Sequence, residues 1–202
     1  MEILTFVELI GKFKGTEETD LQIDRLIDYI YGIMRKYPDS DSRSMVNGYQ
    51  NHNMGDHIND PELKFIMDFI YDQFEEYLRA HGPTKKYYWA INNIWPNVTP
   101  PGGFNRLHQH SGCQFSGIFY LQGAPEAGEL LLYNPMNTSN LVLNYTDVCP
   151  RQSLSYSVYP IRNTGAFFSS SLAHRVDINN SSSDRISISF NIAISEFLPA
   201  SQ

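Results

Sequence analysis

Three histidines are the residues of this chain best suited to chemistry: His108, His110 and His174. The first two stand two apart in Asn105-Arg-Leu-His-Gln-His-Ser-Gly-Cys-Gln-Phe-Ser116. On a strand, side chains i and i+2 share a face, so both imidazoles aim at one point wherever the backbone there is extended. His174 lies far downstream, in Ser169-Ser-Ser-Leu-Ala-His-Arg-Val176, beside another strand-like segment. Two ligands from one strand edge and a third from a distant strand make a one-sided metal site that leaves coordination positions open. His-x-His alone is weak evidence, because on an exposed strand it is usually two solvated side chains.

A guanidinium and a phenol extend the set. The stretch Arg185-Ile-Ser-Ile-Ser-Phe-Asn-Ile-Ala193 alternates, with Ile186, Ile188, Phe190 and Ile192 on one face and Arg185, Ser187, Ser189 and Asn191 on the other. A polar face on a strand otherwise fit for burial lines a cavity or meets solvent. Arg185, at the start of that face, is placed to grip a carboxylate through two parallel hydrogen bonds, a contact lysine copies poorly. A structural ion pair is the plainer alternative for it. Tyr120 shares a face with Ser116 and is placed to donate its hydroxyl to the same carboxylate.

These residues need elements to hold them. Thr19-Asp-Leu-Gln22 fits a capping box, and Ile23, Leu26, Ile27, Ile30 and Met34 recur at helical spacing. This predicts an amphipathic helix to Lys36, stopped by Pro38. Residues 3–13 fit an edge strand or a short helix. Asp39–Asn59 is polar; within it His52 and His57 read as surface residues, and Gly48-Tyr-Gln-Asn-His-Asn is long enough to reach over a site. Asp60 caps a second helix with Pro61 in its first turn. Its stripe is Leu63, Ile66, Met67, Ile70, Phe74, Tyr77 and Leu78, and His81-Gly82-Pro83 ends it, His81 as a group suited to a helix C-terminus.

Beyond Pro83 the period changes to that of strands: Tyr87–Trp95, Gln114–Gln122, Gly128–Tyr133, Leu154–Tyr159, Gly165–Phe168 and Arg185–Ala193. Pro96–Gly103 reads as a loop, and Asn134–Gln152 as a longer one, a substrate lid or an exposed excursion. Trp89, Trp95 and the phenylalanines read as core. Two packing helices followed by short strands predict an α+β protein whose β part is a sandwich or jelly roll. One domain spans 1–202, with a helical part at 1–83 and a β core at 84–198.

Composition narrows the function classes. At 202 residues and 42% hydrophobic the chain suits one well-buried domain. A net charge of −7, with no cluster of Lys and Arg, argues against non-specific nucleic-acid binding. Cys113 and Cys149 lack metal-pair spacing, and one bridge is thin support for a secreted scaffold. The opening Met1–Ile10 has no basic region and carries acids within its apolar part, unlike a signal peptide, and no run approaches a membrane span. A soluble cytoplasmic protein is expected.

In this order, His-x-His, Ile-Phe-Tyr-Leu, Gly-Glu-Leu-Leu-Leu-Tyr, His174 and Arg185-x-Ser187 resemble the 2-oxoglutarate/Fe(II)-dependent oxygenases. The likeness is strongest to a small bacterial and phage group related to prolyl hydroxylases. It covers roughly Trp89 to Ile194, and is most specific in Ser116-Gly-Ile-Phe-Tyr-Leu and Arg185-Ile-Ser-Ile-Ser-Phe-Asn. The resemblance implies a double-stranded β-helix core. It implies His108, His110 and His174 as Fe(II) ligands, and Arg185, with Tyr120 and Ser187, as the holders of the distal carboxylate of 2-oxoglutarate. It implies an O2-dependent hydroxylation of a C–H bond that releases succinate and CO2, on a small-molecule or peptide substrate. Most of the superfamily carries Asp or Glu where His110 stands, so this site is one negative charge short; the phage-type group often shows His-x-His there. Asp177 and Asn105 are candidates to orient an imidazole. Two other readings fit parts of the pattern. One is a cupin-like three-histidine enzyme that uses no 2-oxo acid, disfavoured because no Glu follows the pair before Glu126. The other is a non-catalytic jelly-roll binding module, which would carry no stoichiometric iron.

Overall fold

Both helices form where the apolar period requires them. The structure, a computed structural model, describes residues 8–39, 43–51, 60–83, 87–135 and 155–196. Helix α1 spans Glu17–Lys36 and α2 spans Pro61–Ala80. α1 begins earlier than the expected box at Thr19. Its cap is Thr16, whose side chain accepts from the Thr19 backbone N–H at 3.1 Å, and Glu17, Glu18 and Asp20 then face the positive end of the helix dipole. α2 is capped as expected: Asp60 Oδ1 accepts from the Glu62 N–H at 2.9 Å. Neither helix is long and apolar enough to cross a membrane.

Eleven strands follow in two antiparallel sheets among the described residues: β1 Gly11–Lys14, β2 Met45–Val46, β3 Tyr49–Gln50, β4 Tyr87–Thr99, β5 Phe104–His108, β6 Phe115–Gln122, β7 Leu130–Tyr133, β8 Ser155–Val158, β9 Thr164–Ser169, β10 His174–Val176 and β11 Arg185–Glu196. The larger sheet runs β1-β9-β6-β11-β4-β3 and the smaller β2-β5-β10-β7-β8. These antiparallel sheets and two helices are the α+β arrangement expected, with the β part a double-stranded β-helix.

Three local expectations change. The polar stretch before α2 contains β2 and β3, each only two residues long and each pairing with a strand distant in sequence. Residues 11–14 resolve to an edge strand on β9. β4 continues through Pro96 to Thr99 rather than stopping at Trp95. Pro96 pairs with Ile188 of β11, and on its other side β3 reaches only Val98 and Asn97, so among the described residues it has a strand on one side only, the kind of position where a strand tolerates proline. The segment 136–154, which holds most of the expected Asn134–Gln152 loop and Cys149, lies outside the described residues, as do His52 and His57.

Alternation along two central strands separates the two cores. Phe119, Leu121, Ile186, Ile188, Phe190 and Ile192 face the helices, where they pack with Ile23, Ile30, Ile66, Ile70 and Phe74. Ile118 and Tyr120 face the smaller sheet, with Leu130, Leu132, Phe168 and Val176. Gly117 lies under the Phe190 ring: a Cβ there would collide with Phe190 Cε2 and Cζ and would stand 2.9 Å from the Ala166 carbonyl oxygen. The same β11 that roofs the helix-side core therefore turns its polar face toward the space between the sheets. Phe190 is fully buried; Phe190→Ala is expected to cost about 3–5 kcal/mol, read as a lower denaturant midpoint at unchanged slope.

Candidate metal centre

The three histidines meet in the space between the sheets. One ring nitrogen from each of His108, His110 and His174 lies within 4.8 Å of the others. Ring centroids are 4.2 Å apart for His108–His174, 4.9 Å for His110–His174 and 5.2 Å for His108–His110. The convergence does not come from i, i+2 alternation on one strand. β5 ends at His108, and His108 meets His174 because the two are direct cross-strand partners between β5 and β10. His110 lies beyond the strand, held by its backbone N–H to the Ser170 carbonyl at 3.0 Å.

Hydrogen bonds fix the tautomer of each ring. Nδ1 of His108 faces the Arg106 carbonyl oxygen at 2.7 Å, and Nδ1 of His174 faces that of Leu172 at 2.8 Å. Nδ1 of His110 faces Asn191 Oδ1 and Ser116 Oγ, both at 2.8 Å. A carbonyl or amide oxygen can only accept, so the ring nitrogen facing it carries the proton: Nδ1 is N–H and the Nε2 lone pair is free for a cation. Burial lowers the pKa of all three; His174 is pushed down to about 3, with the neighbouring His108 adding to the effect. Neutral imidazoles with directed lone pairs are what a divalent metal requires. The two residues expected to orient a ring do other things: Asn105 Nδ2 donates to Ser44 Oγ at 3.0 Å, and the Asp177 carboxylate pairs with Arg175 at 3.0 Å.

A cavity extends from the histidines toward Arg185. Arg185 is 3% exposed. Its Nη1 donates to the carbonyl oxygens of Ala127, Gly128 (3.0 Å) and Asp177 (3.1 Å). Gly128, at φ 88°, makes room for that contact, because a Cβ there would stand 2.7 Å from Nη1. Among the described residues Arg185 forms no salt bridge. The partners described for this buried cation are neutral carbonyls, an arrangement that an added carboxylate would complete. Burial pulls its pKa below the ordinary arginine value. Close by, the Tyr120 hydroxyl is fully buried and has no hydrogen-bond partner among the described residues; burial pushes its pKa up to about 12 while the Arg185 charge opposes that rise. Ser187 lines the same cavity and is the β11 residue opposite Tyr120. The donors present fit a dicarboxylate that reaches from a metal to a guanidinium, and no carboxylate side chain lines the cavity among the described residues.

Several site residues went unseen in the sequence. Trp95, which reads there as core, lines the cavity with its ring 5.8 Å from that of His110. Gln50 lines it too, from the Gly48–Asn51 segment, which does reach the site. Asn191 carried a signal, being the fourth member of the polar face of β11. His81 stands at the end of α2, its Nδ1 donating to the Tyr77 carbonyl at 3.0 Å.

Residues 93–191 match a family model described as "Putative 2OG-Fe(II) oxygenase". Sequence comparison with curated proteins finds no match. Among solved structures, a Pseudomonas putida prolyl-4-hydroxylase is similar at TM-score 0.62 and 11% identity, over 91% of this chain and 92% of that one. A Trichoplax adhaerens prolyl hydroxylase, solved with a hypoxia-inducible-factor peptide fragment, is similar at TM-score 0.63 and 14% identity, over 91% and 83%. HygX from Streptomyces hygroscopicus, solved with nickel and 2-oxoglutarate bound, is similar at TM-score 0.61 and 10% identity, over 92% and 83%. At these identities the likeness speaks to the fold.

Proposed function

We propose that this protein, whose residues 93–191 belong to the 2OG-Fe(II) oxygenase family, hydroxylates a C–H bond of a peptide side chain or of a small molecule. It is an enzyme whose cofactors are Fe(II) and 2-oxoglutarate. His108, His110 and His174 would hold the iron through Nε2, each ring kept in register by the oxygen on its Nδ1. Arg185 would bind the distal carboxylate of 2-oxoglutarate, with Tyr120 donating its buried hydroxyl and Ser187 beside them. When bound, the pair supplies an oxidant: one oxygen atom of O2 enters the substrate C–H bond while the oxo acid loses CO2 and becomes succinate carrying the other.

The protein's own part is positioning and exclusion. The buried guanidinium fixes which end of the dicarboxylate faces the imidazoles, and Phe168, edge-on to His174 with centroids 4.9 Å apart, keeps water from one side of the ligand set. The observation that carries this reading is the pairing, within one cavity, of three Nδ1-anchored imidazoles with a buried arginine that forms no salt bridge among the described residues. A cupin-like enzyme would have no use for that arginine. The prolyl hydroxylases among the structural relatives support a peptide side chain as the first substrate class to screen. Protein purified without air should release succinate only when Fe(II), 2-oxoglutarate and O2 are all present, and a pooled peptide and metabolite library should raise that rate. Stoichiometric Fe(II) binding with no 2-oxoglutarate turnover under any library fraction would overturn it.

A further inference from the structure

The three imidazoles are not anchored alike. His108 and His174 each place Nδ1 on the main-chain carbonyl two residues earlier, at 2.7 and 2.8 Å, so no side chain decides their tautomer. His110 is set by side chains alone. Its Nδ1, Asn191 Oδ1 and Ser116 Oγ stand 2.8 Å from one another, and Ser116 Oγ is a further 2.8 Å from Ser170 Oγ. All three partners are buried: Asn191 is 9% exposed, Ser116 0% and Ser170 1%. Asn191 and Ser116 face each other directly across β11 and β6, so the sheet register itself delivers the amide to the ring.

Proton counting fixes what this cluster does. Asn191 Oδ1 only accepts, and it takes the His110 Nδ1–H and the Ser116 O–H. Turned the other way, the Asn191 amide would donate to Nδ1 and drive the proton to Nε2, where it would block a metal bond. No carboxylate lines the cavity among the described residues. The acceptor behind His110 is therefore the one place where a side chain can change how much electron density that ring gives to a metal. We propose that Asn191, seconded by Ser116, is the positioning residue that keeps His110 in its metal-binding tautomer and sets the strength of the third metal bond. This rests on the three-histidine iron site proposed above.

The test is Co(II) binding, by isothermal titration and by the visible absorption of the bound ion, without 2-oxoglutarate and at one pH. Asn191→Leu keeps the bulk and removes the acceptor; its Kd is expected to rise roughly 10- to 100-fold, the usual loss when an outer hydrogen-bond partner of a ligand is removed. Asn191→Asp puts a carboxylate on the Nδ1–H; it is expected to bind at least as tightly as wild type and to shift the Co(II) band, because His110 becomes a stronger donor. Equal Kd and an unshifted band in both variants, or equal weakening in both, would overturn the inference and leave a packing role. Should Asn191→Leu fail to fold, Ser116→Ala against Asn191→Asp decides: weaker against equal or tighter supports it, and no difference overturns it. Wild-type protein that binds no Co(II) would instead strike the iron site itself.

Discussion

His174→Ala is expected to abolish both Fe(II) retention and succinate release. Of the three imidazoles His174 is the most buried, at 3% exposed, and it is the cross-strand partner that brings β10 to His108. Its removal leaves two rings, one of them on the loop beyond β5, and no other metal-ligating group near by among the described residues. Loss of an outer partner already costs roughly 10- to 100-fold in metal affinity, so loss of a ligand from a set of three should exceed about 100-fold. Metal analysis of anaerobically prepared protein, beside circular dichroism to confirm the fold, reads the result. Iron retained at one per chain in the variant would remove His174 from the ligand set.

Arg185→Ala is expected to have a different signature: 2-oxoglutarate binding should fail while the metal stays. Removing one partner of a buried, hydrogen-bonded charge pair costs about 2–5 kcal/mol, which is roughly 30-fold or more in affinity. Arg185→Lys should fall between, since an ammonium cannot reproduce the paired N–H donors and would lose the contacts to the Ala127, Gly128 and Asp177 carbonyls. Fe(II) titration followed by 2-oxoglutarate titration separates the two effects. A variant that loses metal and keeps the oxo acid would reverse the assigned roles.

The chain announces its helices and its last strand more clearly than the site between them. Helix stripes are local, so Ile23 to Ile30 and Leu63 to Tyr77 can be read without the fold. The polar face of β11 is local too, and it names Arg185, Ser187 and Asn191 together. What joins them is not local. His108 meets His174 through a ladder between strands more than sixty residues apart, and β2 and β3 are strands only because β5 and β4 accept them. Pro96 reads as a break because its tolerance depends on where β3 stops. Asn191 reads as one polar residue among several, because its role rests on a register that places Ser116 opposite it. Chemistry-bearing residue types were legible; their hydrogen-bond partners were set by topology.

A crystal structure grown without air, with Mn(II) standing in for Fe(II) and 2-oxoglutarate added, bears on the centre most directly. The expected result is a metal bonded to Nε2 of His108, His110 and His174, with the distal carboxylate of 2-oxoglutarate on the Arg185 guanidinium. A metal elsewhere, or a 2-oxoglutarate that leaves Arg185 without a carboxylate, would contradict it.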